Sequence, residues 1–144
     1  MKRYLLLLMF LGCLSINLQA QPKQPVKPLT TDHWVGTWAT AQQIPVKKFM
    51  PYNNNLTNRS VRQVVKVSIG GNVIRLKISN ELSSQPLEIR SVYVAYTTDD
   101  FAIYTKSAKY FKFNKNYTVT VPAGQAIWSD ALLFDLRPLS RLSI

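Results

Sequence analysis

Cysteine and histidine are almost missing from this chain of 144 residues, which has one of each. One cysteine excludes a disulfide framework and a zinc site built on thiolates. One histidine leaves no multi-histidine metal centre and makes a self-contained Ser-His-Asp apparatus improbable. Acidic groups are scarce as well: 7 Asp and Glu stand against 18 Lys and Arg, a formal charge of +11. With 5 glycines and 8 prolines, unevenly spread, the chain is neither collagen-like nor a low-complexity linker. It has no glycine-rich phosphate loop, no carboxylate pair at glycosidase spacing and no cluster of metal-ligating residue types. What remains is 47% hydrophobic and 17% charged, the composition of an ordinary globular protein with enough length for one domain.

The first twenty residues read as a targeting signal. Lys2 and Arg3 form a short positive start, an apolar run follows to Leu14, and Leu18-Gln19-Ala20 offers a small residue for cleavage before Gln21. The apolar run is too short for a permanent membrane helix. Leu11-Gly12-Cys13 also has the form of a bacterial lipoprotein box, so a membrane attachment is expected only if Cys13 is lipidated. The expected location is exported, periplasmic or extracellular. Loss of Lys2, Arg3 and Cys13 leaves 16 basic and 7 acidic groups, a charge of +9, and no cysteine, which suits an oxidising compartment. Residues 21–31 hold three prolines without apolar periodicity and read as an extended linker; the domain is expected over 32–144.

From Trp34 onward the hydrophobic period is two. Val61, Gln63, Val65, Val67 and Ile69 alternate with Arg62, Val64, Lys66 and Ser68, and Ile74, Leu76 and Ile78 alternate with Val73, Arg75, Lys77 and Ser79. Gly70-Gly71 between them suggests a two-residue hairpin with positive φ angles. That loop pairs Ile69 with Asn72, Val67 with Ile74 and Val65 with Leu76, all on one face, at the cost of setting Lys66 against Arg75. Further strands are expected over 87–96, 110–113, 117–121, 126–128 and 132–136, with a turn at Pro122-Ala123-Gly124-Gln125. No stretch of ten or more residues carries a helical stripe. Many short strands with turn signals between them predict an all-β domain, an antiparallel β-sandwich of jelly-roll type. Leu139-Ser140-Arg141-Leu142-Ser143-Ile144 reads as a strand that begins where the sequence stops. The expectation is a domain incomplete at its C-terminus; the alternative is a terminal strand tucked into the sheet.

Each candidate site has a plainer reading beside it. Asp32-His33 suggests an oriented base, yet neighbours on a strand point to opposite faces, so a domain-entry histidine with a capping aspartate is favoured. Gly70-Gly71-Asn72 has the look of an oxyanion donor loop, but the hairpin accounts for both glycines. Ser129-Asp130 has no base in reach and more simply closes a turn. The acceptor triplets at Asn55, Asn58 and Asn116 read as chance matches to the glycosylation pattern. Trp34, Trp38 and Trp128 could form a sugar-stacking platform or a cleft wall; core packing is the plainer outcome. The basic residues are single and interleaved with apolar ones, as on solvated strand faces, so no nucleic-acid partner is expected. No catalytic, metal or cofactor site is expected on this chain by itself.

A set of motifs nonetheless resembles one family. Trp34-Val35-Gly36-Thr37-Trp38-Ala39-Thr40-Ala41 is similar to the opening of a group of secreted SGNH (GDSL-type) esterases. The similarity continues through Ser60-Val61-Arg62-Gln63-Val64-Val65, Ile74-Arg75-Leu76-Lys77-Ile78-Ser79-Asn80-Glu81 and Pro86-Leu87-Glu88-Ile89. It includes Val119-Thr120-Val121-Pro122-Ala123-Gly124 and Trp128-Ser129-Asp130, in matching order over nearly all of residues 34–144. In that group a β-rich region precedes an α/β/α hydrolase domain with a Gly-Asp-Ser nucleophile, a Gly-x-Asn-Asp block and an Asp-x-x-His pair. This chain has no Gly-Asp-Ser, no Asp after Gly70-Gly71-Asn72, and no spacer in Asp32-His33. The resemblance therefore implies an N-terminal accessory region of an exported ester hydrolase, non-catalytic alone, whose partner would be the hydrolase domain of the same parent chain. The parent would deacylate carbohydrate or other acyl esters through a serine acyl-enzyme. The alternative is a stand-alone carbohydrate-binding β-sandwich module with a polysaccharide as partner.

Overall fold

A computed structural model describes residues 33–44, 46–50, 56–99 and 102–144. The signal segment with Cys13, the linker 21–31, Asp32 and Asn55 lie outside the described residues. The described chain is all-β and antiparallel, and its core makes it sandwich-like. Its strands are β1 (Val64–Lys66), β2 (Gly71–Ile74), β3 (Lys77–Ser79), β4 (Leu87–Ile89) and β5 (Tyr93–Tyr96). There follow β6 (Lys109–Tyr110), β7 (Val119–Val121), β8 (Ala126–Trp128), β9 (Leu132–Leu136) and β10 (Arg141–Ser143). Two short 3₁₀ turns, Lys47–Phe49 and Thr105–Ser107, are the helical elements among the described residues.

Four strands form one sheet in the order β1-β10-β5-β6, and three ribbons pair β2 with β9, β3 with β8 and β4 with β7. The β2–β9 and β3–β8 ribbons are one kinked ladder. Ile74 faces Leu132 and Lys77 faces Trp128, so two residues, Arg75 and Leu76, oppose three, residues 129–131. This bulge bends the ribbon. Ser129 repairs the broken ladder: its N–H donates to the Leu76 carbonyl (2.8 Å), and its Oγ accepts from the Leu76 N–H (2.9 Å).

Alternation places the core. In β9 Phe134 and Leu136 are buried while Leu133 and Asp135 are exposed. Val65 and Val67 around β1, Val94 in β5 and Leu142 in β10 join Phe111, Phe113, Phe134 and Leu136 in one cluster, with Ile74, Leu76 and Ile78 packed on it. The four-stranded sheet and the ribbons thus share one interior, as the layers of a sandwich do.

The expected hairpin across Gly70-Gly71 does not form. β1 pairs with β10 and β2 with β9, so Val65 lies opposite Leu142 rather than Leu76. Neither glycine takes a left-handed φ; among the described glycines only Gly124 does, at 72°. Gly70 has another reason to be glycine: a Cβ there would collide with the Leu136 carbonyl oxygen and lie 2.9 Å from Pro138 Cδ. Val65, Val67, Ile74 and Leu76 nonetheless all face the core as alternation requires.

Residues 87–96 divide into β4 and β5, and 122–125 turn as expected with Gly124 in the left-handed region. β10 sits between β1 and β5, with Leu142 opposite Val65 and Tyr96. Ile144 exchanges two backbone hydrogen bonds with Gln63, both 2.9 Å. Beside them Ser143, fully buried, accepts from Arg62 Nε (3.1 Å) and Nη2 (2.8 Å) and shares a bond with Thr97 Oγ1 (2.9 Å).

Candidate functional site

Arg75 occupies the bulge between β2 and β3, and the kink turns its side chain between two indoles. Its Cζ lies 4.3 Å from the Trp34 ring centroid and 4.2 Å from that of Trp128. Lys77 Nζ lies 6.0 Å from the same Trp128 ring. Trp128 reaches this place because it ends β8 opposite Lys77. Guanidinium over an indole face is the most favourable cation–π pair, worth about 0.5–2 kcal/mol according to how far it is desolvated.

Trp34 belongs to an extended arm, residues 33–44, which hydrogen bonds hold to the body. Thr37 is the clamp: its Oγ1 donates to the Ile69 carbonyl (2.8 Å) and accepts from the Ile69 N–H (3.1 Å). Its carbonyl accepts from the N–H and the Oγ of Ser68, each at 3.0 Å. Farther along, Gln42 Nε2 donates to Glu81 at 2.6 Å, and Ser79 Oγ donates to the same carboxylate at 2.7 Å. The bonds from Gln42 and Ser79, with the positive Lys77 nearby, hold the Glu81 carboxyl below its ordinary value.

Of the three candidate tryptophans, Trp34 and Trp128 are brought together around Arg75. Trp38, 42% exposed, makes no ring or cation contact among the described residues. Trp34 and Trp128 are themselves 37% and 52% exposed, so none of the three is a core residue. Arg75 Nε is buried without a hydrogen-bond partner among the described residues. The stack therefore trades cation–π attraction against a donor left unmet.

Ser129 and Asp130 do close a turn. Asp130 accepts from the N–H groups of Asn114 (3.1 Å) and Lys115 (2.7 Å), both of which hold positive φ. His33 is exposed, and its expected neighbour Asp32 lies outside the described residues. Asn80, within the motif Ile78-Ser79-Asn80-Glu81, is structural: its Nδ2 donates to the carbonyls of Gln85 (2.8 Å), Val121 (3.1 Å) and Pro122 (3.2 Å). No group of three His, Cys, Asp or Glu able to hold a metal occurs among the described residues, and no described helix is long and apolar enough to cross a membrane.

Sequence reasoning missed two features. Arg75 looked like an outward residue in a hairpin, because its role depends on a bulge formed with residues more than fifty positions away. The other is an exposed trio, Tyr93, Tyr110 and Tyr117, with ring centroids 5.8 Å apart from Tyr93 to Tyr110 and 5.8 Å from Tyr110 to Tyr117. Period-two alternation around Phe111 could have flagged Tyr110 as outward; its neighbours could not have been named without the strand pairing. Neither a scan of the sequence against protein-family models nor a search of curated proteins returns a match.

Proposed function

We propose that this chain is the N-terminal accessory region of an exported SGNH-type carboxylic-ester hydrolase and is not catalytic alone. One observation carries the reading: three separate motifs that resemble that family supply Trp34, Arg75 and Trp128, and these meet at one exposed point. The same motifs supply parts that fix the point, Thr37 on the arm and Ser129 at the bulge. A surface built from the most distinctive residues suits contact with a neighbouring domain, where indoles and arginine are favoured. In the parent enzyme a serine would form the acyl-enzyme on carbohydrate or other acyl esters, and this region would wall one side of the cleft.

Acyl transfer needs a hydroxyl with a base in reach and fixed donors for the oxyanion. The purified protein is expected to show no hydrolysis of acetyl esters that a serine-directed inhibitor abolishes. Sequencing the coding DNA past the codon for Ile144 is expected to find the frame continuing into a strand and a Gly-Asp-Ser motif, with an Asp-x-x-His farther on. A stop codon there with no downstream remnant would overturn the reading. The stand-alone carbohydrate-binding module would then be favoured, on the exposure of Trp34, Trp38 and Trp128. Trp34 and Trp128 each give one ring face to Arg75, so a sugar would use the opposite faces.

A further inference from the structure

From the tyrosine trio and the lysines around it, we infer that the β5–β6 edge is a binding surface for an acidic polysaccharide, a chain of uronic acid units. Tyr93 and Tyr110 are direct partners across β5 and β6, and β6 is an outer strand of the four-stranded sheet. Tyr117 meets Tyr110 edge-on at 79°, while Tyr93 is tilted by 55°. All three rings are exposed, at 38%, 54% and 50% for Tyr93, Tyr110 and Tyr117, and no phenol hydroxyl has a hydrogen-bond partner among the described residues. Each tyrosine keeps between about a third and a half of its surface open to solvent, and each carries a hydroxyl donor at its tip.

Charge decides between a neutral and an acidic occupant. Residues 102–129 hold Lys106, Lys109, Lys112 and Lys115 and no Asp or Glu. Lys112 follows Tyr110 by two positions, on the same side, and its Nζ lies 5.0 Å from the Tyr117 ring centroid. Lys109 points the other way and donates to the Leu133 carbonyl at 2.7 Å. Lys106, Lys112 and Lys115 have no acidic partner among the described residues. Asp130 accepts from the backbone of Lys115, which places one carboxylate behind the turn.

The residue after Tyr117 in the chain, Thr118, lines an open depression of about 430 Å³ with Val119 and Thr120 of β7, Glu88 and Ile89 of β4, and Arg90 just after β4. Arg90 and the two threonines offer donors there, and Glu88 is the one carboxylate facing them. Sugar rings present C–H faces that lie on phenol rings, and uronic carboxylates accept from ammonium, guanidinium and phenol groups. Rings set at 55° and 79° to one another fit a single twisting chain rather than a flat crystalline surface. This inference shares with the esterase reading only the expectation of export, and its test does not involve ester chemistry.

The test is titration of the purified protein with oligogalacturonate, its methyl-esterified form and polyphosphate, followed by calorimetry. Oligogalacturonate should bind at millimolar affinity or better, and the esterified form at least about fivefold more weakly. Tyr110→Ala should weaken binding at least about tenfold, while Tyr110→Phe, which keeps the ring, stays within about threefold. Lys112→Gln should lower affinity and flatten its salt dependence, and Trp128→Ala should leave it unchanged. Tyr110→Phe and Lys112→Gln remain informative if the alanine variant folds poorly. The inference is overturned by absence of binding, by equal binding of polyphosphate that Tyr110→Ala does not change, or by loss of binding in Trp128→Ala.

Discussion

Replacing Gly70 and Gly71 by alanine, one at a time, separates two accounts of residues 61–79. In a two-residue hairpin both glycines would need positive φ, and each alanine would cost about 1–2 kcal/mol. In the observed fold the two sites are unequal. A Cβ at Gly70 meets the Leu136 carbonyl oxygen and the Pro138 ring, 2.9 Å from its Cδ, whereas a Cβ at Gly71 has nothing within 4 Å. The Leu136 oxygen is held by backbone and the Pro138 carbon by its ring, so neither can rotate aside. The overpacking cost should therefore lie near the upper end of the usual range, about 3 kcal/mol. Alanine also reduces the freedom of the unfolded chain, which returns about 0.4–1 kcal/mol. The net loss for Gly70→Ala is then about 2 kcal/mol, and for Gly71→Ala there is a gain of a few tenths to about 1 kcal/mol. For a domain of this size each kcal/mol moves the melting temperature by about 4–8 °C. Thermal melts by circular dichroism should show Gly70→Ala lower by roughly 8–16 °C and Gly71→Ala level or slightly higher. Equal losses at both sites, or a harmless Gly70→Ala, would refute the close approach of β9 and residues 136–138.

Three other outcomes follow from single groups. Asn80→Ala should cost about 1–3 kcal/mol in urea unfolding, because one amide serves three carbonyls in two loops; a change within 0.5 kcal/mol, the range of an ordinary surface site, would show that the loops hold without it. Glu81 has its folded-state pKa lowered, so its contribution is fully present above the unfolded-state value and lost as pH falls through the folded one. Tryptophan emission from the arm should accordingly shift in acid below the usual glutamate range, and Glu81→Gln should abolish that shift; an unchanged acid response in the variant would separate Glu81 from the arm. Arg75→Met removes the cation and the unmet Nε together, so stability should change by no more than about 1 kcal/mol, while the emission of Trp34 and Trp128 changes markedly. A loss of several kcal/mol would mean that the stack is a larger anchor than its geometry indicates.

The approximate places of most strands and inward faces were legible because each depends on local alternation. The strand expected over 110–113 is nonetheless only Lys109–Tyr110, and that over 117–121 only Val119–Val121. Val61 and Ile69, in phase with Val65 and Val67, are exposed. Val65, Val67, Ile74, Leu76 and Phe134 face the core whatever they pair with. Pairing was not legible, because it is set by residues far apart in the chain. A Gly-Gly step between two alternating segments is a strong hairpin signal, yet β1 found β10 and β2 found β9. What decides is the burial of β10 in the middle of the sheet, where Leu142 completes the cluster and Ser143 gathers Arg62 and Thr97. A local hairpin would satisfy two strands and leave β10 without its place. For the same reason the candidate site was half legible: the tryptophans stand out as residue types, but the arginine between them is specified by a bulge that only the β2–β9 and β3–β8 ladder creates.

The two exposed aromatic groups differ in a way that exposure alone does not reveal. At Trp34 and Trp128 one face of each indole is already occupied by Arg75. That gain, about 0.5–2 kcal/mol per ring, is set against about 1–3 kcal/mol for the buried Nε without a partner. The balance is near zero, so the stack fixes where the arm lies without adding much stability, and it leaves the outer indole faces for a neighbour. Among the three tyrosines Tyr110 packs tilted against Tyr93 and edge-on against Tyr117, and Lys112 comes over the Tyr117 ring. Their hydroxyls and the charges of Lys106 and Lys115 remain unmet among the described residues. At the stack the cation is met by ring faces inside the fold although one of its donors, Arg75 Nε, is not. A group whose donors all point outward is explained by what it meets outside. The tryptophan stack ties the arm to the body through Arg75, whereas the tyrosine edge turns its hydroxyls outward, as the glycan surface proposed above requires. If both proposals hold, Trp128→Ala and Tyr110→Ala fail in different assays, the first in contact with the hydrolase domain and the second in glycan binding. A single variant that fails in both would mean that the two surfaces serve one partner.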